Sequence, residues 1–375
     1  MVIFLCLASL LFLVLGLPLI GLWIVGRAFP TDLTLFPLPI QPGSASIAWP
    51  IWGFLAVLIS ATLAPPIWRW WKFQSLSEFS ISHPMRFPWW GWMAGFWVLS
   101  AWILAWTRFS WFATWQPHTF PLLWFGYIVL LNAWTYHRAG QCVLLDHPRL
   151  HGQLFVFSAG FWWTFEYLNQ FVKNWHYVNV PEAPVQEYAL YTSLAFSTVL
   201  PAVLSTYEWL ATFLGLSKPF ANWHPFPWIE SSFTGWLCLV LGCVGLSMIG
   251  LWPTVLFPLL WICPLAITLG AGLLVKRKGV WSQIAQGDWR PIILSALAAL
   301  LCGFWWELWN AYSLVHWEYT IPYVHALTIF EMPVLGYAGY LPFGVLCVEI
   351  TAVGLGYRTN RPLIRVSQTS RDNAQ

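Results

Sequence analysis

Long stretches without a charged residue are the feature that most limits how this chain folds. Such runs cover 1–26, 44–68, 87–107, 119–136, 188–207 and 231–275. A helix needs about 20 apolar residues to cross the hydrocarbon core of a bilayer. Each run is long enough for one crossing, and the last is long enough for two. The sequence therefore predicts a protein of the membrane.

Three more runs reach the same length if one embedded acid is tolerated in each. They are 150–172 around Glu166, 291–315 around Glu307, and 332–357, which contains Glu349. Together the runs predict an all-α fold, a polytopic membrane helix bundle of about ten transmembrane helices, numbered 1 to 10 in chain order.

The basic residues are distributed unevenly between the two sides of this bundle. Of the 17 Lys and Arg residues, only Arg27, Arg108 and Lys173 fall in one set of connections, and all the others fall in the opposite set or in the tail. The positive-inside rule then predicts a multi-pass protein with both termini in the cytoplasm. Because these charges flank membrane segments, no nucleic-acid partner is expected from the net charge of +3.

Two segments of the chain resemble each other. GFWWTFEYLN at 160–169 and GFWWELWN at 303–310 share Gly-Phe-Trp-Trp, then a Glu, then an Asn three residues later. Pro201 and Pro342, like Glu208 and Glu349, are separated by the same 141 residues as the two motif acids. This constant offset predicts a parallel internal repeat, in which helices 5–6 correspond to helices 9–10 about an axis along the membrane normal.

The repeat suggests a division of the chain into four parts. Residues 1–149 are an N-terminal four-helix membrane region, and 150–290 are repeat unit 1, with helices 5–8. Residues 291–357 are a partial repeat unit 2, with helices 9–10, and 358–375 are a polar, basic tail expected to be disordered in the cytoplasm. Pro201 and Pro342 are expected to kink their helices, since each removes a backbone donor.

The embedded acids are the candidate catalytic residues. Glu166 and Asn169, like Glu307 and Asn310, are three residues apart and share one helix face. An ionised carboxylate in hydrocarbon costs about 2.5–3.5 kcal/mol even on permissive scales. Each acid must therefore be protonated, hydrogen-bonded or in contact with a ligand. We expect the two glutamates to be a general acid or an acid/base pair oriented by the asparagines, although packing by hydrogen bonds is an alternative.

Tryptophans beside these acids are the candidate substrate-binding residues, because flat aromatic walls suit a polyunsaturated ligand. The set also includes the two acids of helices 6 and 10: Trp162, Trp163, Trp305, Trp306, Trp309, Glu208 and Glu349. No metal site is expected, because the histidines and acids of the outer loops lack ligand spacing. No cofactor is expected either, since His137 and His151 lie only at helix ends.

Part of this pattern resembles known membrane enzymes. A Trp-acid pair, then Trp317-x-Tyr319, then a Leu-Pro followed by Glu349 resembles the small integral-membrane carotenoid cyclases of the lycopene cyclase kind. The pair Trp306-Glu307 is also similar to the acid of transmembrane terpene cyclases. The likeness covers helices 5–6 and 9–10, and it implies an enzyme that protonates a polyene or an epoxide with a buried acid.

The sequence therefore favours a membrane-embedded enzyme, or a binder, of a hydrophobic isoprenoid or lipid. Its partners are then the lipid bilayer and a hydrophobic small molecule. Two alternatives remain open at this point. A proton-coupled transporter also uses a parallel repeat and embedded acids. A non-catalytic subunit of a larger complex would use its tryptophan-rich surface to contact membrane-protein partners.

Overall fold

The computed structural model describes residues 2–30, 33–34, 42–43, 45–74 and 85–357. This part of the chain is mostly α-helical, which confirms the predicted all-α class. Its long helices are α1 (Val2–Ile24), α2 (Trp49–Gln74), α3 (Trp89–Trp106), α4 (Thr119–Ala139), α5 (Pro148–Val172), α6 (Val185–Ala211), α7 (Ser232–Met248), α8 (Leu259–Leu274), α9 (Arg290–Asn310) and α10 (Tyr340–Leu355). The predicted tail 358–375 lies outside the described residues.

Within the part of the chain that the structure describes, four helical segments are long and apolar enough to cross a membrane. They are Trp49–Phe73, Val185–Ala211, Arg290–Asn310 and Val334–Leu355, the last of which adds a 3-10 turn to the start of α10. Helices α7 and α8 are apolar but have only 17 and 16 residues. At 1.5 Å per residue they are about 25 Å long, less than the roughly 30 Å of the hydrocarbon core. Ten crossings therefore remain a prediction.

The two prolines that were expected to kink helices lie in different settings. Pro201 follows a break in α6 at Ser197 and Thr198. Ser158 of α5 donates to the carbonyl oxygen of Phe196 at 2.6 Å and accepts from the Leu200 amide at 3.0 Å, so it satisfies polar groups at the break. Pro342 instead lies in the first turn of α10, directly after the 3-10 segment Val334–Gly339.

The buried centre of the molecule includes α4, α5, α6, α9 and α10. Trp124, Phe165, Leu200, Trp309 and Phe343 are among its most deeply buried side chains, one from each of these helices. Helices α9 and α10 approach closely at Gly344. A Cβ atom there would lie 2.0 Å from the carbonyl oxygen of Ser295.

Two short strands were not predicted. Strand β1 (Trp175–Val178) follows α5, and β2 (His316–Tyr319) follows α9. They pair in antiparallel fashion, with Trp175 opposite Tyr319 and Tyr177 opposite Trp317. Trp175 and Trp317 are 142 positions apart, and so are Tyr177 and Tyr319. The Trp of each strand therefore lies opposite the Tyr of the other strand, and the pairing is symmetric about its centre. A smaller pair, β3 (Thr328–Ile329) and β4 (Met332–Pro333), precedes α10.

The contacts of two arginines with connections distinguish the two ends of the helices. At one end Arg69 donates to the carbonyl oxygens of Pro219 and Asn222, at 2.5 and 2.6 Å. At the end that carries the paired strands, Arg108 donates to the carbonyl oxygen of Tyr312 at 2.9 Å. Arg69 and Arg108, which the sequence assigns to opposite sides, are therefore in contact with different connections.

Candidate functional site

The four predicted catalytic residues are buried near the ends of α5 and α9. Glu166 is 6% exposed, Glu307 is 0% exposed, and Asn169 and Asn310 are equally enclosed. Each Glu and Asn contacts the strand that follows its own helix. The two motifs therefore meet through β1 and β2.

The asparagines hold the strands to the helices. Asn169 donates to the carbonyl oxygen of Trp175 at 2.8 Å and accepts from the Asn174 amide at 2.8 Å. Asn310 donates to the carbonyl oxygen of Trp317 at 2.7 Å and accepts from the Trp317 amide at 2.8 Å. We expected these amides to orient the acids. Among the described residues they bind strand backbone, and neither is hydrogen-bonded to a motif glutamate.

Removing either amide should destabilise the protein. Asn169→Ala and Asn310→Ala each leave a buried backbone donor and acceptor without partners, which we expect to lower the free energy of unfolding by about 2–3 kcal/mol. Denaturant titration in detergent measures the loss. Asn222→Ala is the control, because its side chain is exposed and its stability should stay within about 0.5 kcal/mol of wild type. Equal effects at all three positions would contradict this role.

Glu166 is surrounded by donors. Its Oε1 atom accepts from the Trp162 indole at 2.9 Å and from the Tyr177 hydroxyl at 2.6 Å. The Trp175 indole donates to both carboxylate oxygens, at 3.2 and 3.3 Å. Both oxygens of this acid are therefore occupied by side chains of the protein.

Glu307 has a different set of partners. Its Oε1 atom accepts from the Tyr319 hydroxyl at 2.7 Å and from the Tyr340 hydroxyl at 2.9 Å. Its Oε2 atom is buried and has no hydrogen-bond partner among the described residues. The Trp317 indole donates to the Tyr319 oxygen at 2.8 Å, which fixes that tyrosine as the donor to the acid. One oxygen of Glu307 is thus held and the other is unpartnered.

The helix register explains the different donors. The Gly-Phe-Trp-Trp string begins six residues before Glu166 but only four residues before Glu307. Because both helices are continuous, the two strings do not occupy equivalent positions relative to the acids. At the 141-residue offset, Gly303 corresponds to Trp162. A Cβ atom at Gly303 would lie 2.4 Å from the Tyr340 ring. The glycine therefore makes room for Tyr340, which takes the place of a tryptophan donor.

The strand tyrosines remain neutral donors. Burial raises the pKa of Tyr177 well above its usual value, and the nearby Glu166 raises it further. Burial acts in the same direction on the pKa of Tyr319, together with Glu307 and Tyr340. Sequence reasoning missed these tyrosines as partners of the acids. The sequence carried a signal for them, because Tyr177 follows Trp175 by two residues and Tyr319 follows Trp317 by two residues.

The predicted substrate-binding tryptophans are mostly in contact with other protein groups. Trp163 donates to the Ser193 hydroxyl at 2.9 Å. Trp306 packs against Trp124 at 5.0 Å between ring centroids. Trp305 and Trp309 form a tilted pair at 5.3 Å.

Aromatic rings also lie between the two motifs. The Phe343 ring is 5.7 Å from the Trp162 ring and 6.4 Å from the Trp306 ring. The side chains on α5 and α9 are thus joined through a residue of α10.

Glu208 and Glu349 do not join this site. Glu208 accepts a hydrogen bond from the Tyr357 hydroxyl. Glu349 pairs with the Arg277 guanidinium at 2.9 Å and accepts from the Val280 amide at 2.7 Å. Both acids are buried, and their partners come from connections at the end of the helices that carries Arg69. Helix α10 contains no Lys or Arg, and the cation that pairs with Glu349 comes from the segment after α8.

The outer histidines form a small cluster with one acid. His176 Nε2 lies 3.4 Å from Glu318 Oε2, and His316 Nε2 lies 3.6 Å from Glu318 Oε1. Among the described residues, no group of three or more His, Cys, Asp or Glu side chains is placed to hold a metal ion.

The fold and the site define a class of protein and do not identify one activity. Over the described residues the protein is all-α, has four helices capable of crossing a membrane, and buries four acids in its helices. Comparison with known protein families, with curated proteins and with solved structures finds no match to this chain.

Proposed function

We propose that this protein is a multi-pass membrane protein that binds a hydrophobic isoprenoid or lipid and acts on it through the buried acid Glu307. The observation that carries the proposal is the unpartnered Oε2 atom of this fully buried side chain. Among the described residues it is the one buried carboxylate oxygen in the group of buried side-chain atoms without a partner, and such an atom calls for an explanation, of which a ligand is one.

The hydrogen-bond partners of Glu307 favour protonation at one of its two carboxylate oxygens. Two tyrosine hydroxyls donate to Oε1, so this atom acts as the acceptor, and a proton on the acid belongs on Oε2. An acid held in this way is a positioned proton donor. The nearby Trp306 and Tyr340 rings, 5.9 Å apart, present π faces of the kind that stabilise a developing cation. Protonation of a polyene or an epoxide, as the resemblance to carotenoid and terpene cyclases implies, matches this chemistry.

Glu166 is the structural counterpart of Glu307 in this proposal. Its two oxygens accept from Trp162, Trp175 and Tyr177, which leaves neither oxygen without a donor. Glu166 remains a candidate acid, but its geometry favours a role in holding β1. The pair of acids therefore offers a matched comparison between two similar buried carboxyl groups.

We also infer that the internal repeat is wider than two helices. The order α3, α4, α5, β1, α6 is followed by α7, α8, α9, β2, α10, and the starts of the first three helices and of the strand differ by 140 to 143 residues. The Trp175 ring lies 5.9 Å from Trp261 of α8, and the Trp317 ring lies 5.8 Å from Phe120 of α4. In each of these contacts, a tryptophan of one four-helix unit packs against an aromatic ring of the other unit. These reciprocal contacts support a parallel repeat, and with it ten crossings and termini in the cytoplasm. The boundary between units then falls in 212–231, in place of the predicted division at 149 and 290.

The proposed function is tested by mass spectrometry of the lipids that co-purify with the protein in gentle detergent. We expect wild type and Glu166→Gln to retain the same isoprenoid or lipid, and Glu307→Gln to lose it or to retain an unconverted form. Glutamine keeps the acceptor for both tyrosines but supplies no acidic proton.

Two other results would support the alternative functions. Partner proteins that co-purify, with identical lipids in all three proteins, would indicate a non-catalytic subunit. The most apolar window of α2 contains no buried residue, which leaves this helix available to such a partner. Flux in proteoliposomes that depends on pH and on Glu307 would indicate a proton-coupled carrier.

A further inference from the structure

A cavity of about 540 Å³, open to the surface, lies where the end of α2 meets the segment between α6 and α7. Its lining combines two cations and a histidine with aromatic and apolar side chains: Pro65, Trp68, Arg69, Lys72, Phe73, Trp223 and His224. This cavity is separate from the buried acids, and the proposed function makes no use of it.

The guanidinium of Arg69 is held in place at this cavity. It donates to the carbonyl oxygens of Pro219 and Asn222, and it lies 5.5 Å from the centroid of the Trp223 ring. Among the described residues, two of its five N–H groups are engaged in this way, and an anion can bind the others. A guanidinium that is already oriented loses less rotamer entropy when it binds a phosphate.

The apolar lining belongs to a helix that is suited to the membrane. Helix α2 is among the four long enough to cross a bilayer, and it exposes Trp68 and Trp71 near its end. Tryptophan is enriched where a helix leaves the hydrocarbon core. The positive-inside count predicts that this end of α2 faces the cytoplasm, where anionic lipids attract basic residues.

We propose that the cavity binds the phosphate headgroup of an anionic phospholipid, with its acyl chains along the apolar surface of α2. Arg69 and Lys72 contact the phosphate, and Trp68 and Phe73 contact the glycerol and the first methylene groups. The apolar lining favours a lipid over a free phosphate compound of the same charge, because a small soluble anion gains nothing from it.

Native mass spectrometry with added phosphatidylglycerol and phosphatidylcholine tests the proposal. We expect wild type to bind phosphatidylglycerol preferentially, and Arg69→Gln/Lys72→Gln to bind it about 10- to 30-fold more weakly. Lys276→Gln/Lys278→Gln is the matched control. It removes the same charge from two exposed residues on the same predicted side, outside the cavity. It should bind as wild type does.

A second variant separates loss of the site from loss of the fold. Lys72→Gln alone keeps the Arg69 bonds to Pro219 and Asn222, and we expect about 3- to 10-fold weaker binding. Equal weakening in the Lys276→Gln/Lys278→Gln control would overturn the proposal in favour of general surface attraction. Displacement of the lipid by millimolar glycerol phosphate would overturn the lipid assignment and indicate a site for a soluble phosphate compound.

Discussion

Gly344→Ala should lower the free energy of unfolding by about 3 kcal/mol, because the added methyl group would overlap the backbone of α9. The new Cβ atom would lie 2.0 Å from the carbonyl oxygen of Ser295 and 2.8 Å from the Ala299 methyl group. Backbone cannot rotate away as a side chain can, so α9 and α10 must separate. This movement would also shift Tyr340 away from Glu307.

The control for this substitution is Gly160→Ala on α5. No heavy atom lies within 4 Å of a Cβ atom built there. Alanine has a higher helix propensity than glycine by about 1 kcal/mol, so Gly160→Ala should leave stability unchanged or raise it slightly. Denaturant titration of both variants in the same detergent gives the comparison. A Gly344→Ala protein as stable as Gly160→Ala would show that the contact between α9 and α10 is looser than described.

Arg277→Gln is the second substitution with a large expected effect. Among the described residues, it leaves the buried carboxylate of Glu349 with only the Val280 amide as a donor. Breaking a buried ion pair by removing one partner costs about 3–5 kcal/mol, and the partial exposure of Arg277 places the expected loss near the lower value. The segment that follows α8 should also become more accessible to protease.

A double-mutant cycle separates the pair from its surroundings. We expect Arg277→Gln/Glu349→Gln to recover most of the stability lost in Arg277→Gln, because two neutral amides replace an uncompensated charge. The coupling energy between the two positions is the quantity to measure. Additive losses would contradict the ion pair as the reason for the effect.

The sequence predicted the helices better than it predicted their contacts. Uncharged runs identified the regions of α2 and α6, and runs with one embedded acid identified those of α9 and α10, because apolar length is a property of the local sequence. Strands β1 and β2 were missed. Each has four residues and is defined by pairing with a segment more than 100 residues away, which no local pattern reports.

The candidate site was likewise predicted in part. The spacing of Glu307 and Asn310 placed them on one helix face, but the partner of Asn310 is strand backbone, which sequence spacing does not reveal. Tyr340 reaches Glu307 only because Gly303 lacks a side chain. Arg277 comes from another connection to meet Glu349, so a search for cations within the same helix could not find it.

The most direct test of the account compares cellular lipid and isoprenoid profiles for wild type, Glu307→Gln and Glu166→Gln, each expressed in the cognate host at the same level in the membrane. The account predicts that Glu307→Gln accumulates a substrate that wild type and Glu166→Gln do not. Unchanged profiles in the Glu307→Gln host, with the variant folded, would contradict a catalytic role for this acid. In that case Glu307, like Glu166, would serve to hold its strand against the helix.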